Sequence, residues 1–557
     1  MALKDITKET PSGHYDICII GSGPAGLTLA NELASSGKRI AVIESGEVGK
    51  TPYADALREV KNTGEIFIRP SSRERVLGGA STTWSSLSAP LDQIDLENRP
   101  YLSHSTGWPL TLSDLKPYYR RATRYGFPSL ESFDGSWLAE ARDAGDFAFS
   151  SSRILEKTFI AKDPPWNFGQ KLHSIFNAHN VDLYLNATVT SLSSKKDTQQ
   201  TYVTSADIRT PNNDARKISA KMFVLATGGL ENARLLLLSR NTNPHGLGNN
   251  HDQVGRYLMN HPKGNFGIIK LTKPVKNLPH LFGYLRDGWS GYAGIRLQDD
   301  SERSLKVLNS YLRFEPIFSW TDSQGITALI IIVKKAKRFL NWWKQKQKNI
   351  VQLRDWNETG DEVNEKRGFN QKINWLSSVW TIITDMPAIF SYIYYRLNNK
   401  KELLVKTVRL RNFMEMEPIP ENRLTLSDKL DANGNALPSV ALNTSTLDRR
   451  SLIELHRLFG EEIEKNKIGT LESDLEKVRP WPINAEASHH LGGTRMGIDP
   501  LTSVVNSDLR VHGVENLYIC GGSVFPTSGC ANPTYTICAL AIRLADFIKK
   551  EIQTLET

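Results

Sequence analysis

Residues 17–20, Ile-Cys-Ile-Ile, form a short apolar, β-branched run of the kind that fills a buried parallel strand. The turn Gly21-Ser22-Gly23-Pro24-Ala25-Gly26 follows at once, and the pattern becomes helical over 24 to about 36. A second run, 39–43, reads as a strand and ends on Glu44. Farther along, 181–185, 187–192, 201–208 and 222–226 read as strands, and the last enters a helix over 231–238 through Thr227-Gly228-Gly229. Thr111 or Ser113 is placed to cap a helix to about 125, and a final helix runs from Pro533 to about 551. Strand, glycine turn, helix and second strand in this order predict an α/β chain that opens on a Rossmann-type unit.

The glycines of such a turn have separate tasks. Gly21 permits the tight bend, Gly23 lets the backbone approach a pyrophosphate, and Gly26 lets the helix beginning at Pro24 and Ala25 pack closely on the strand. The diphosphate then sits at the helix N-terminus, where free N–H groups and the dipole favour an anion. Glu44, eighteen residues past Gly26, is placed to accept hydrogen bonds from a ribose diol, which suits FAD or NAD rather than NADP. A second glycine loop, Gly78-Gly79-Ala80-Ser81-Thr82-Thr83-Trp84, can lie flat against a planar ring and offer N–H and O–H groups to its heteroatoms.

Composition narrows the class without changing it. With 557 residues, 39% hydrophobic and 23% charged, the chain has room for two or three ordinary globular domains. The cysteines, Cys18, Cys520, Cys530 and Cys538, form no C-x-x-C pair, so buried thiols in a reducing compartment are expected rather than a disulfide framework. The N-terminal residues lack the apolar core of a signal peptide, which points to the cytoplasm. A net charge of +9 is modest for this length, no nucleic-acid module is present, and neither a nucleic-acid partner nor a metal is expected.

The stretch 326–398 differs from the rest. Residues 326–333 are mostly apolar, 334–348 carry seven basic and no acidic side chains around Phe339, Trp342 and Trp343, and 375–395 are apolar and aromatic but interrupted by Asp385 and Pro387. Neither apolar run suits a bilayer span, which needs roughly 20 apolar residues. Two readings stay open: an amphipathic basic segment on a membrane surface, leaving the protein peripheral to the membrane, or a helical hairpin acting as a lid or oligomer contact.

The last eighty or so residues carry His489-His490-Leu491-Gly492-Gly493-Thr494-Arg495-Met496-Gly497, then Gly521-Gly522-Ser523, then Asn532-Pro533-Thr534. Together with the opening cradle, the second glycine loop and Ala226-Thr227-Gly228-Gly229-Leu230-Glu231-Asn232, this terminus resembles the glucose–methanol–choline (GMC) oxidoreductases, FAD enzymes that oxidise alcohols and sugars. The resemblance covers about 14–130, 222–262 and 415–557 and fails across about 300–410. It implies a Rossmann-type FAD-binding domain with a second α+β substrate-binding domain. It also implies FAD contacts from Gly21, Gly23, Pro24, Ala25, Gly26, Glu44, Gly78, Gly79, Ser81, Thr82, Val189, Ala226, Thr227, Gly228, Gly522, Ser523, Asn532, Pro533 and Thr534. In that family a histidine and a second histidine or asparagine flank the flavin N5. Here the pair is His489 and Asn532, with His490 a rival one residue along. The histidine takes the hydroxyl proton while hydride leaves for N5, and Asn532 positions the substrate oxygen. Pro533 suits the first turn of a helix whose positive end faces the flavin. Pyranose-oxidase-like relatives carry a flavin-bonded histidine in the second glycine loop where this chain has Thr83, so the FAD is expected to be non-covalent.

The domains implied are 14–90, 170–262 and 481–557 for FAD, and 91–169 and 263–480 for substrate, with 326–398 inserted. The partners are a small alcohol or sugar, and dioxygen or another electron acceptor. A non-redox flavin lyase of the same fold, or a membrane-surface dehydrogenase of lipid-like alcohols, remains an alternative.

Overall fold

The computed structural model describes residues 3–556 apart from 12, 103, 105–106, 143–146, 148, 173–177, 198–199, 277, 319, 331, 333–374, 398–403 and 484–485. Tyr15–Ile20 lies inside a parallel sheet, between Ile40–Ile43 and Ala215–Leu225. Val181–Leu185 and Leu3–Asp5 continue one edge, and Leu517–Ile519, from the far end of the chain, pairs with Ala215–Leu225. Ile17, Ile19, Val42 and Val224 are fully buried. A strand covered on both faces needs apolar side chains at consecutive positions, which explains why 17–20 shows no alternation.

The strand expected at 222–226 begins earlier, as Ala215–Leu225. Its first half pairs antiparallel with Thr201–Arg209, which pairs in turn with Thr188–Lys196. That half is only partly buried, so polar residues intervene and mask the strand in the sequence. The first helix is Pro24–Leu33, prolonged by a 3₁₀ turn at Ala34–Ser36 and stopped by Gly37 at φ +71°.

A second sheet is antiparallel throughout, in the order Gly469–Glu472, Lys263–Val275, Val405–Phe413, Tyr311–Ile317, Trp289–Leu297, Ile154–Lys162, Leu87–Ser88. The helix Thr446–Lys465 buries Leu452, Leu455, Phe459 and Ile463 in one core with Ile269, Phe314 and Leu410 of this sheet. Leu87 and Ser88, expected in the nucleotide domain, thus join the other sheet.

The reverse holds for 111–133, which was expected in the substrate lobe. Thr111 caps the helix Leu112–Arg121 through a reciprocal pair with Asp114. That helix then docks on the C-terminal helix Thr534–Glu556: Tyr119 Oη lies 2.7 Å from Thr536 Oγ1, and the Tyr119 and Tyr535 ring centroids are 4.6 Å apart. Arg121 bonds Glu32 of the first helix at 2.6 Å. This tilted aromatic contact and the ion pair place the segment with the nucleotide unit.

Of the stretch 326–398, the structure describes a helix over 324–330, then Trp375–Thr384 and Met386–Leu397. The basic run 334–348 lies outside the described residues. Asp385, which interrupts the apolar pattern, accepts hydrogen bonds from Ser323 Oγ at 2.7 Å and Gly325 N–H at 2.8 Å and so ties the helices together. Trp320, Ile326 and Ile389 form a small core, while Trp380, Phe390 and Tyr394 are exposed. No helix among the described residues is long and apolar enough to cross a membrane.

Candidate active site

A cleft opens at the carboxyl ends of the parallel strands, where open α/β sheets place their ligands. The turn after Ile20, Glu44 after Ile43, Ala226 after Leu225 and Gly521-Gly522 after Ile519 all line it. Their glycines have little freedom to change. A Cβ at Gly26 would lie 1.9 Å from the Gly21 carbonyl oxygen, and one at Gly21, where φ is +107°, would lie 2.5 Å from that of Ala226. At Gly23 a Cβ would meet nothing within 4 Å, so this residue faces open cleft at the start of the helix. Gly79 of the second glycine loop comes close enough that its Cβ would sit 2.9 Å from Gly23 Cα. Glu44 is buried, with Oε2 accepting from Ser22 N–H and Oγ–H at 3.1 and 2.6 Å and Oε1 from Gly46 N–H at 2.9 Å.

The two histidines diverge. His490 sends its ring to Ser72 Oγ at 3.2 Å. His489 turns the other way: its Nε2 lies 3.5 Å from Asn532 Nδ2, and its Nδ1 lies 2.8 Å from Nδ1 of His261. The backbone carrying both is wedged, since a Cβ at Gly229 or Gly522 would come within 2.0 or 2.8 Å of the His490 carbonyl oxygen. Met259 and Leu491 pair as an antiparallel bridge, and Asn260 Oδ1 accepts the His489 N–H at 3.0 Å. Burial holds the His489 imidazole well below its usual pKa, with further lowering from His261, Lys263 and His490, so it is neutral at physiological pH.

Asn532 is held from behind. The loop before it accepts support from Glu415, whose carboxylate receives Gly529 N–H at 3.3 Å and is gripped by Arg99 through two bonds of 2.8 and 2.5 Å. Pro533 precedes and Thr534 begins the C-terminal helix, and both line the cleft.

Residues 418–541 match the model described as GMC oxidoreductase, and residues 16–251 match that of the FAD dependent oxidoreductases. The chain is 23% identical to 2-methyl-1,2-propanediol dehydrogenase of Mycolicibacterium austroafricanum, over 97% of this chain and 96% of that one. It is 26% identical to the fructose dehydrogenase large subunit of Gluconobacter japonicus over 63% of its length, and there it spans about half (51%) of the relative. A crystal structure of pyridoxine 4-oxidase from Mesorbium loti shares the fold, with TM-score 0.53 and 16% identity over 96% of this chain and 99% of that one. The chain joins an FAD dependent oxidoreductase domain to a GMC oxidoreductase C-terminal domain. It is an FAD-dependent oxidoreductase.

Within this enzyme the cleft fits FAD: the glycine turn leaves room for a diphosphate, and the buried Glu44 carboxylate and the start of the C-terminal helix line the same cleft. Of the residues expected at the cofactor, Gly21, Gly23, Pro24, Ala25, Glu44, Gly79, Val189, Ala226, Thr227, Gly228, Gly522, Pro533 and Thr534 line the cleft. Of the remainder, Asn532 stands beside His489, and the others sit behind the cleft. Gly26 packs on Gly21, and Gly78 lies against Gly169. Ser81 turns inward, its Oγ donating to Gly78 C=O at 2.6 Å and accepting from Phe168 N–H. Thr82 Oγ1 donates to Gly79 C=O, and Ser523 Oγ accepts from Asn232 at 2.9 Å. In the second glycine loop the backbone faces the cleft, and the hydroxyls expected to reach a ring instead hold the loop's own shape.

Sequence reasoning missed a charged wall of the cleft. Arg73, Arg75 and Arg234 all bond Glu231, at 2.7, 2.9 and 3.2 Å. Burial alone would raise the Glu231 pKa, yet Arg75, Arg234 and Arg73 together hold it well below the carboxylate range. Arg73 and Arg75 stand in a polar stretch with no periodicity, which reads as surface. His261 was also passed over, although the string Asn260-His261-Pro262 was visible.

Two outcomes follow for the cofactor. Thr83 is exposed and carries no imidazole, so acid precipitation releases all the flavin colour into the supernatant; colour kept by the washed pellet would show a covalent bond. Glu44→Ala weakens FAD retention, measured as flavin lost on gel filtration, while the holoenzyme that remains is reduced at the native rate. A variant saturated with FAD but slow to be reduced would remove Glu44 from the ribose.

Proposed function

We propose that the enzyme oxidises a sugar, glycoside or other alcohol to the carbonyl, with His489 as the base for the hydroxyl proton and Asn532 as the donor that positions the substrate oxygen. The carrying observation is the convergence of His489 Nε2 and Asn532 Nδ2 at 3.5 Å, too long for a strong mutual bond and suited to a shared oxygen between them. FAD, when bound, supplies the hydride acceptor, and dioxygen or another compound then takes the electrons. The desolvated His489 ring is neutral and able to accept a proton, and Asn532 brings a donor to the same point. The relatives' names, a diol dehydrogenase and a fructose dehydrogenase subunit, support a polyhydroxy or small alcohol substrate. Anaerobic mixing with a panel of sugars, glycosides, aliphatic alcohols and sterols tests this. At least one of them bleaches the flavin and yields the carbonyl, whereas flavin that stays oxidised while substrate is converted would sink the reading.

We also read the exposed face of Trp380, Phe390 and Tyr394 as a contact face. Aromatic side chains of this size suit a membrane interface or a second copy of the chain. Flotation with anionic vesicles that weakens in high salt identifies the membrane, and a doubled mass lost in Trp380→Ser/Phe390→Ser identifies the copy. Neither result would leave the face without a partner and end this reading.

A further inference from the structure

We propose that His261 is a positioning residue that fixes the tautomer of His489, so that Nε2 of His489 is the bare nitrogen that receives the substrate proton. The inference rests on reading His489 as the base.

The chain of bonds leaves one consistent assignment. His261 Nε2 lies 3.3 Å from the Ser528 carbonyl oxygen, which can only accept, so this nitrogen carries the hydrogen. A neutral imidazole has one N–H, and the buried ring of His261 is pushed down to about 4 by desolvation. Its Nδ1 is therefore bare. That atom faces His489 Nδ1 at 2.8 Å, and two bare nitrogens would repel at this distance, so His489 Nδ1 carries the hydrogen and donates it. The hydrogen of His489 is thereby spent on the protein, and its Nε2 presents a lone pair beside Asn532.

The surrounding structure holds both rings to this pattern. Asn260 Oδ1 accepts the backbone N–H of both His261 and His489, at 2.8 and 3.0 Å, so consecutive residues fix the main chain and the ring of the base. The ring planes are nearly perpendicular, at 84° with centroids 5.0 Å apart, which aims one edge nitrogen at the other without stacking. Ser528, which sets the tautomer of His261, lies four residues before Asn532, and its own Oγ accepts Met416 N–H at 3.2 Å. The loop that presents the positioning amide therefore also orients the base. A free imidazole tends to place its hydrogen on Nε2, which would meet a substrate hydroxyl as a donor and block proton uptake. Catalytic histidines elsewhere are commonly held in the required tautomer by the partner of the second nitrogen, and here a histidine fills that role.

The test uses holoenzyme labelled with ¹⁵N-histidine, with the His489 signals identified by their loss in His489→Ala. Native His489 shows a protonated Nδ1 and a bare Nε2 at neutral pH. In His261→Leu the Nε2–H form becomes dominant and flavin reduction slows at least tenfold, with FAD content and the Kd of a non-oxidisable substrate analogue unchanged. His261→Gln, whose amide oxygen can accept from Nδ1–H, recovers most of the native rate. A bare Nδ1 on native His489, or a native rate in folded, FAD-loaded His261→Leu, overturns the proposal. If His489→Ala is inactive while His261→Leu is fully active, the base stands and the tautomer role falls. If His489→Ala itself is active, the reading of the base falls instead, and the nitrogen spectrum alone decides the tautomer.

Discussion

Replacing His489 with alanine lowers the rate of flavin reduction by about 10²–10⁴-fold, the usual size of a general-base contribution, with FAD still bound. The side chain reaches Asn532 and His261 and makes no ion pair among the described residues, so its loss leaves no buried charge there. His490→Ala has a much smaller effect on reduction, because its ring points to Ser72 rather than to Asn532. Stopped-flow measurement of both variants decides between them, and the opposite ranking would transfer the role to His490. The pH dependence carries a sign. Burial depresses the His489 pKa, so the neutral, proton-accepting form persists as pH falls, and the acid limb of the reduction rate lies below the ordinary imidazole value near 6.5. A limb at or above that value would mean the base is not desolvated during turnover.

Arg99→Met costs about 3–5 kcal/mol of stability, the penalty for leaving one partner of a buried ion pair without the other. Arg99 and Glu415 are almost wholly out of solvent, at 1% and 0% side-chain exposure, and joined by two bonds. The substitution removes the charge but leaves Glu415, among the described residues, with Gly529 N–H and Asn309 N–H, the latter at 2.7 Å. Replacing both partners, as Arg99→Met/Glu415→Leu, restores much of the loss, since an apolar pair of similar volume is often no less stable. Thermal unfolding of the two holoenzyme variants is the measurement. A single variant that melts with the native enzyme would show that the carboxylate finds another cation.

Much of the nucleotide site was legible because its determinants are local. Gly21, Gly23 and Gly26 act within one turn, and Glu44 closes the unit they begin. The pairing of His489 with Asn532 was legible through the terminal motif, which holds both residues. His261 was not, since it reaches His489 through the Met259–Leu491 bridge, a pairing across more than two hundred residues that no periodicity announces. The position of 111–133 was hidden for a similar reason. Its capping box marks a helix wherever that helix lies, and only Tyr119 against Tyr535 says which unit it joins. The strand Ala215–Leu225 was half legible because one half is buried between parallel neighbours and the other lies in a partly exposed meander.

The pairing of Leu517–Ile519 with Ala215–Leu225 also fixes an order of events during synthesis. The strand 15–20, its glycine turn and Glu44 leave the ribosome first, but the wall formed by Gly521, Gly522, Pro533 and Thr534 follows about five hundred residues later. Until then Ala215–Leu225 has Tyr15–Ile20 but lacks its other parallel neighbour, and the cleft is open along one side. The nascent chain therefore waits as a half-built receptor, with no complete cleft for FAD until residue 534 has been made.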